Sequence, residues 1–514
     1  MPIINQVVSG GGTTPTGTKS ITANGTYDVT DYANADVQVP TTAPASYRAF
    51  ELDADGKLKN STSTPWVPLP AGTTDISNFL LAYSYKDTPA NILSGAIDLS
   101  SLTKIDGNYA FSYAFQNCTG ITSVDLSSLT KISGMNSCQN MFTDCTGIIT
   151  VDLSSLNSVN QMYGCNSMFS GCTGITNLNL SSLKSANGNY SCSFMFKNCT
   201  GLTGSLDLSS LALVGGATAC QGMFYGCTGI TNANLNSLLS VTGVNGCNQM
   251  FYDCTNLSSV NLSCLCKLGT SNQLSQMFTN TALTTLSFPN LAYTSANYNS
   301  AFSSTLSGVT GCTVHFPSDW QTAMSSWTNI TNGLGGTNTT VLFDLPAVTT
   351  LDLSCITSVV DVSLQNFVQN NYFPNVTSIN LSSLTTIDLN NGCSSMFSGN
   401  TNLTTVDLSS LATVNGNNAC QSMFKDCTSL TSINLSSLTS ITGTNSLQYM
   451  FQNCTSLTSL SFPALKTVEN SSVVAFMLNG TTGCTVHFPS NLSSYAFNCG
   501  GTNTTVLYDL PATE

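Results

Sequence analysis

Apolar positions along this chain recur with a period far longer than that of a single helix or strand. Aligned on one aromatic, Phe115, Phe142, Phe169, Phe196, Phe224, Phe251 and Phe278 stand 27 residues apart, with one step of 28, and Phe397, Phe424 and Phe451 resume the same 27. The unit reads C-x-x-M-F-x-x-C-T-x-[LI]-T-x-V-x-L-S-S-L, followed by a short Gly/Asn-rich stretch. Within it Cys138, Met141, Phe142 and Cys145 fall at i, i+3, i+4 and i+7, as do Cys165, Phe169 and Cys172 in the next copy. That spacing predicts about two helical turns with one buried stripe. The intervening Gln139, Asn140, Thr143 and Asp144 are polar, and Asn136 or Ser137 can cap the start. Ile148, Val151, Leu153 and Leu156 then predict a strand rich in β-favouring residues. Neither element can bury its apolar side alone, so successive copies must stack, and the expected fold is an α/β repeat solenoid of strand-plus-short-helix units.

The run MFTDCTGIITVDLSSL, with an aromatic, a cysteine three residues later and then an L-x-x-L-x-L strand, resembles the BspA-like bacterial surface leucine-rich repeats. The likeness covers roughly residues 96 to 490; the 27-residue unit is longer than the commonest form of that family through its C-x-x-M segment. It implies a leucine-rich-repeat solenoid and a binding scaffold, with no particular ligand.

The same pattern divides the chain. Residues 1–18 read as an N-terminal peptide and flexible Gly/Thr linker, 19–40 as a small β module alternating around Asn24 and Gly25, and 41–95 as a hairpin turning at Asp55 and Gly56 and an N-terminal cap. A first leucine-rich array spans 96–290 with a cap at 291–347, and a second spans 348–465 with a cap at 466–514. Both caps carry GCTVHFPS and then GGTNTTVLFDLPA or GGTNTTVLYDLPA. The stretch ITANGTYDVTDYANADVQVP is similar to short modules near the start of tail and other virion proteins of phages that infect gut bacteria. This second resemblance implies a virion protein, made in the host cytoplasm, whose N-terminus attaches to other virion proteins.

Composition narrows the partners. Of 514 residues 41% are apolar and only 7% charged, against ~25% in an ordinary soluble protein. The net charge is −13 and Arg48 is the one arginine, so the clustered cations that neutralise phosphates are missing and nucleic acid is not expected as a partner. No run of 18 apolar residues is present, so membrane insertion is not expected. The start MPIINQVVSGGG lacks a basic segment followed by an apolar one, so no secretory signal is expected. The alternatives to a receptor-binding virion protein are a bacterial cell-surface adhesin of the BspA-like kind and a purely structural virion component.

The 21 cysteines invite a metal or disulfide reading. Seven residues along a helix is ~10.5 Å of rise, which is too far for Cys138 and Cys145 to share a bridge or an ion. Phe111, Leu274 and Leu447 replace the first cysteine of the unit, so the thiols read as buried apolar filler, with bridges between neighbouring repeats as the second option. Cys264 and Cys266 alternate in direction and read as filler too.

Catalytic constellations are not evident. His315 and His487 occupy the same place in the two caps, pointing away from Val314 and Phe316 in the first, and the motif supplies neither nucleophile nor acid. No cofactor and no metal is expected. Asp98, Asp125, Asp152 and Asp207 share a column with Asn179, Asn234 and Asn261, one oxygen-bearing side chain per repeat, which is sparse for calcium. Thr122, Ser123 and Asp125, then Thr176, Asn177 and Asn179, then Thr231, Asn232 and Asn234 are the candidate ligand surface: small polar groups on the outward side of the strands. Tyr109, Tyr163 and Tyr190 offer aromatic contact area on the other side. A host-surface glycan or protein is the expected ligand, and a homo-oligomer is compatible with the sequence.

Overall fold

The computed structural model describes residues 103–513, apart from 106–107, 109–110, 114, 270, 292–299, 324–332, 361 and 371. It also gives Leu99 and the backbone of Ser94–Asp98, Phe79–Tyr83, Trp66–Pro68, Tyr47–Glu51 and Thr26–Tyr27. The chain coils as a parallel β-solenoid in which each repeat contributes three walls. The first wall is the longer strand, as in Gly120–Asp125, Thr150–Asp152 and Asn177–Asn179, paired in parallel so that Val124 faces Val151 and Asp125 faces Asp152. The second is a two-residue strand, and seven of these from Lys104–Ile105 to Lys267–Leu268 form one sheet. A second series repeats both walls from Thr350–Asp352 and Ser358–Val359 onward.

The third wall departs from the sequence expectation, because the C-x-x-M-F-x-x-C segment is not helical. Its residues take positive φ at every fourth position, with Asn136 at 55°, Asn140 at 54° and Asp144 at 60°. The amides of Asn136, Cys138, Asn140, Phe142 and Asp144 donate to carbonyls of the next repeat at 2.7–2.9 Å. Those of Gln139, Met141, Thr143 and Cys145 bond back to the carbonyl three residues earlier. An α-helix spends every amide inside its own segment; here alternate amides leave it, so the wall is a ladder of linked turns. A turn array of period four places i, i+3, i+4 and i+7 inward just as a helix does, which is why the apolar spacing alone misassigned it. Among the described residues helix is confined to short pieces such as Asp319–Ala323, and 3-10 turns at Ser471–Val474 and Ser490–Tyr495.

The walls of each series enclose a core of its own. Cys138, Met141, Phe142, Cys145, Cys165, Phe169 and Cys172 are fully buried. The phenylalanines stack ring on ring, from 5.0 Å between Phe115 and Phe142 to 6.0 Å between Phe251 and Phe278, with their planes nearly parallel throughout. The offset-stacked range for aromatic pairs is ~4.5–7 Å. Where the Gly/Asn stretch turns the corner, backbones nearly touch: a Cβ on Gly216 would meet the Gly188 carbonyl oxygen at 2.2 Å, and one on Gly243 the Gly216 oxygen at 1.9 Å. The single 28-residue step is accommodated at Gly204, at φ +78°, where the register shifts and the first-wall sheet is interrupted between Asn177–Asn179 and Gly204–Asp207. The second wall runs on across it, with Ser185 paired to Leu213.

Upstream, Thr26–Tyr27 pairs in parallel with Ala96 and Ile97, and Tyr47–Glu51 is the centre of an antiparallel sheet with Trp66–Pro68 and Phe79–Tyr83. The expected turn at Asp55 and Gly56 and the remainder of the 19–40 module lie outside the described residues.

The second series packs against the first. Leu239 and Cys266, one residue ahead of second-wall strands of the first series, belong to the apolar core of the second. Asn290 clamps Asp352, donating from Nδ2 to its carbonyl at 2.6 Å and accepting its amide at 3.1 Å. Tyr372 donates to the Leu268 carbonyl at 3.0 Å, and the Lys267 ammonium lies 5.3 and 4.7 Å from the Phe367 and Tyr372 ring centroids while hydrogen-bonded to the Phe367 carbonyl.

Candidate binding surface

The first wall presents its alternate residues to solvent. Thr122, Asp125, Thr176, Asn177, Asn179 and Asn232 are exposed, and Ser123, Thr231 and Asn234 are half-buried, with Asn232 paired to Ser259 and Asn177 to Thr150 along the ladder. The Asp/Asn column has a local structural duty. Asp125 Oδ1 accepts the Ser127 amide at 2.9 Å, Asp152 that of Ser154 at 2.9 Å, Asn179 that of Ser181 at 3.1 Å and Asp207 that of Ser209 at 2.9 Å. These are Asx turns that bend the chain out of the strand, and because they need one side-chain oxygen they accept Asp and Asn alike. Among the described residues no group of three or more His, Cys, Asp or Glu side chains could hold a metal ion.

In the second series the same wall borders an open trough of about 650 Å³ lined by Thr350, Ser378, Asn380, Ser382, Thr405, Asp407, Ser432 and Asn434. Its rim is hydrogen-bonded in place, with Thr350 and Ser378 hydroxyls 2.5 Å apart and Asn380 Nδ2 donating to Asp352 Oδ1 at 2.9 Å. The third wall carries aromatics of another kind. Tyr163 and Tyr190 stack at 4.7 Å and Tyr225 and Tyr252 at 4.7 Å, while Lys197 Nζ lies 5.3 Å from both the Phe194 and Tyr225 rings. Tyr109 lies outside the described residues. Stacked rings whose planes cross the solenoid turn their edges outward, leaving free faces only at the ends of each stack.

The segments that the sequence analysis reads as caps hold a feature that it missed. Nδ1 of His315 lies 2.9 Å from both Asp344 carboxylate oxygens, and Nδ1 of His487 lies 3.0 and 2.9 Å from those of Asp509. The acid comes from the next strand, in the FDLPA or YDLPA segment that follows each V-H-F-P motif, so the repeated co-occurrence of the two motifs was the available signal. Ser287 and Ser461 are the ladder partners of these histidines, but neither hydrogen-bonds the ring. The half-exposed His–Asp pairs link adjacent strands across each sheet.

The cysteine columns differ in chemistry. Cys145 Sγ donates to the Phe115 carbonyl at 2.9 Å, Cys172 to Phe142 at 3.0 Å, Cys227 to Phe196 at 3.1 Å and Cys454 to Phe424 at 3.1 Å. Where this second cysteine is replaced, Asn400 donates to Val368 O and Thr481 to Phe451 O, both at 2.8 Å. The second column is therefore a donor column, which corrects its reading as apolar filler. Burial holds these thiols protonated, pushing Cys172 and Cys254 up to about 12. All 21 cysteines are free thiols.

No helix among the described residues is long and apolar enough to cross a membrane. A model described as BspA type leucine rich repeat region matches in six copies over residues 59–156, 192–307 and 356–499, more than half of the chain, and one described as a Mycoplasma protein of unknown function matches 109–237. No curated protein matches the chain. Solved structures with similarity include a leucine-rich repeat protein from Eubacterium ventriosum, 14% identical over 74% of this chain and 83% of that one with a TM-score of 0.20. A TLR13–ssRNA13 complex aligns at 14% identity over 82% of this chain and 63% of its own, TM-score 0.19. An internalin from Listeria monocytogenes aligns at 13% over 71% and 76%, TM-score 0.16. With its strand, corner and turn walls repeating at the period that the matched segments share, the chain belongs to the BspA-type leucine-rich repeat family.

Proposed function

We propose that this chain is a non-enzymatic binding scaffold whose first wall engages a glycan or protein on a host surface. The observation that carries the reading is the trough on the second series, where hydroxyl and amide groups from four successive repeats stand in register on a hydrogen-bonded ladder. Thr122, Ser123, Asp125, Thr176, Asn177, Asn179, Thr231, Asn232 and Asn234 are the corresponding rows of the first series. Such a surface suits a ligand recognised by many shared hydrogen bonds, and its scarcity of cations makes nucleic acid an unsuitable one.

In the finer form of the proposal the protein is a phage tail-associated or other virion component, attached to other virion proteins by residues 1–40, with two capped arrays displayed outward. The resemblance of residues 21–40 to virion-protein modules supports this placement. A second reading, a bacterial cell-surface adhesin, is favoured by the BspA-type match itself. Detection of the polypeptide in purified particles supports the first, and its recovery only from a cell-envelope fraction removes it. Deleting residues 1–40 is expected to abolish particle incorporation with the repeats still folded.

The wall assignment is tested by Thr405→Arg and Ser432→Arg, both at exposed positions of the trough. Binding of the purified chain to host cells is expected to fall at least ~10-fold with an unchanged unfolding midpoint, since 1.4 kcal/mol of lost contact is a factor of ten. Unchanged binding in both, with loss in Tyr163→Ala or Tyr190→Ala instead, would move the ligand to the third wall.

A further inference from the structure

Nineteen of the 21 cysteines are buried, and the two that are half-buried, Cys264 and Cys355, come from different series yet hydrogen-bond each other through their thiols. Both replace the second serine of the S-S-L corner, a position held by Ser128, Ser155, Ser182, Ser210 and Ser237 ahead of Cys264 and by Ser383, Ser410 and Ser437 after Cys355. Serine is thus set aside for cysteine where the two series meet. The next residue in the same column after Cys264 is Asn290, which clamps the backbone of Asp352 three residues before Cys355. Cys355 also lines a cleft of about 270 Å³ between the series, with Ser237 and Leu239 on the opposite side, so a small molecule can come up beside Cys355, and Cys264 is itself half-buried and not sealed in the core.

We propose that Cys264 and Cys355 are a modification site: a thiol pair that closes into a disulfide and staples the two series of repeats together. The co-reactant is a small-molecule disulfide. The Cys264 thiolate attacks one of its sulfurs and displaces one thiolate, leaving a mixed disulfide on Cys264. Cys355, after releasing its proton to solvent, attacks the Cys264 sulfur and displaces the second small thiol. Two protein thiols are oxidised by two electrons, and the small disulfide is reduced to two thiols. The hydrogen bond from Cys355 holds the Cys264 thiol below its ordinary range, which suits Cys264 to the first attack. Cys266 is excluded as the partner, being fully buried with its side chain in the core of the second series. An oxidising exterior, where disulfides persist, would keep the staple closed.

The test incubates the full folded chain with glutathione disulfide, blocks remaining thiols and maps peptides by mass spectrometry. The expected product is a Cys264–Cys355 linked peptide, an intact mass lower by about 2 Da, and an unfolding midpoint raised relative to the reduced chain. In Cys264→Ser, which restores the residue of the neighbouring repeats and is expected to fold, the link and the rise disappear. Two free thiols at these positions after oxidation, stable glutathione adducts on both, or a link from Cys264 to any other cysteine would each overturn the proposal.

Discussion

At the scale of residues, one side-chain type does two jobs. Cys165 of the first column fills space, as Phe111, Leu274 and Leu447 do at equivalent places. Second-column cysteines add a second donor to a carbonyl that already accepts one turn amide, as Phe142 O accepts both the Cys145 amide and the Cys172 thiol, and their substitutes Asn400 and Thr481 are donors. Cys172→Val is therefore expected to cost about 0.5–1.5 kcal/mol, the worth of one hydrogen bond to a Phe142 carbonyl that keeps the Cys145 amide, with Cys172→Thr recovering most of it and Cys165→Val, which loses no such bond, costing less. Denaturant midpoints of the three variants check this. A second expectation concerns pH. The buried thiols ionise near 9.0 when unfolded and about 12 when folded at Cys172 and Cys254, so the neutral form is favoured by folding. Their contribution is fully present below pH 9 and declines between pH 9 and 12, by about 1.4 kcal/mol per pH unit for each thiol. Unfolding midpoints should drop steeply across that window, and a flat profile would contradict thiol burial. The donor role was hidden from the sequence reading because the column was judged with the first one, although its replacements differ in kind.

At the scale of elements, the sequence located the strand and the buried stripe but misassigned the wall between strands. Far-UV circular dichroism is expected to give a β and turn spectrum lacking the double minimum of α-helix, whereas a strong helical signal would restore the helix assignment. The ladder also makes a specific demand at its left-handed positions. Asn140→Val should destabilise by about 1–2 kcal/mol while Asn140→Gly stays within about 1 kcal/mol, because a β-branched side chain clashes at positive φ and glycine does not. The signal was in the sequence: Asn136, Asn140 and Asp144, every fourth residue, are types that tolerate that region. It was outweighed by a periodicity that both conformations satisfy.

At the scale of the whole molecule, the two series are not independent rods. The column one residue ahead of the second-wall strand changes along the first series from Thr130, Asn157 and Lys184 to Ala212, Leu239 and Cys266. The apolar end of that row is what the second series covers. Leu239→Asp places a charge in this contact, at a cost of several kcal/mol if the contact stays closed, so the series are expected to part instead. Small-angle scattering should then give a larger radius of gyration, with the circular dichroism unchanged; an unaltered radius would place the contact elsewhere.

The sequence by itself determined the period, the strand, the inward residues and the family, because each follows from spacing that the chain carries locally and repeats. Which hydrogen bonds close the turn wall, which cysteines donate, that His315 and His487 each meet an aspartate one strand away, and where Cys264 finds Cys355 were decided only by the tertiary structure. In every such case the partner sits in another repeat or another series, at a sequence distance that no local pattern specifies.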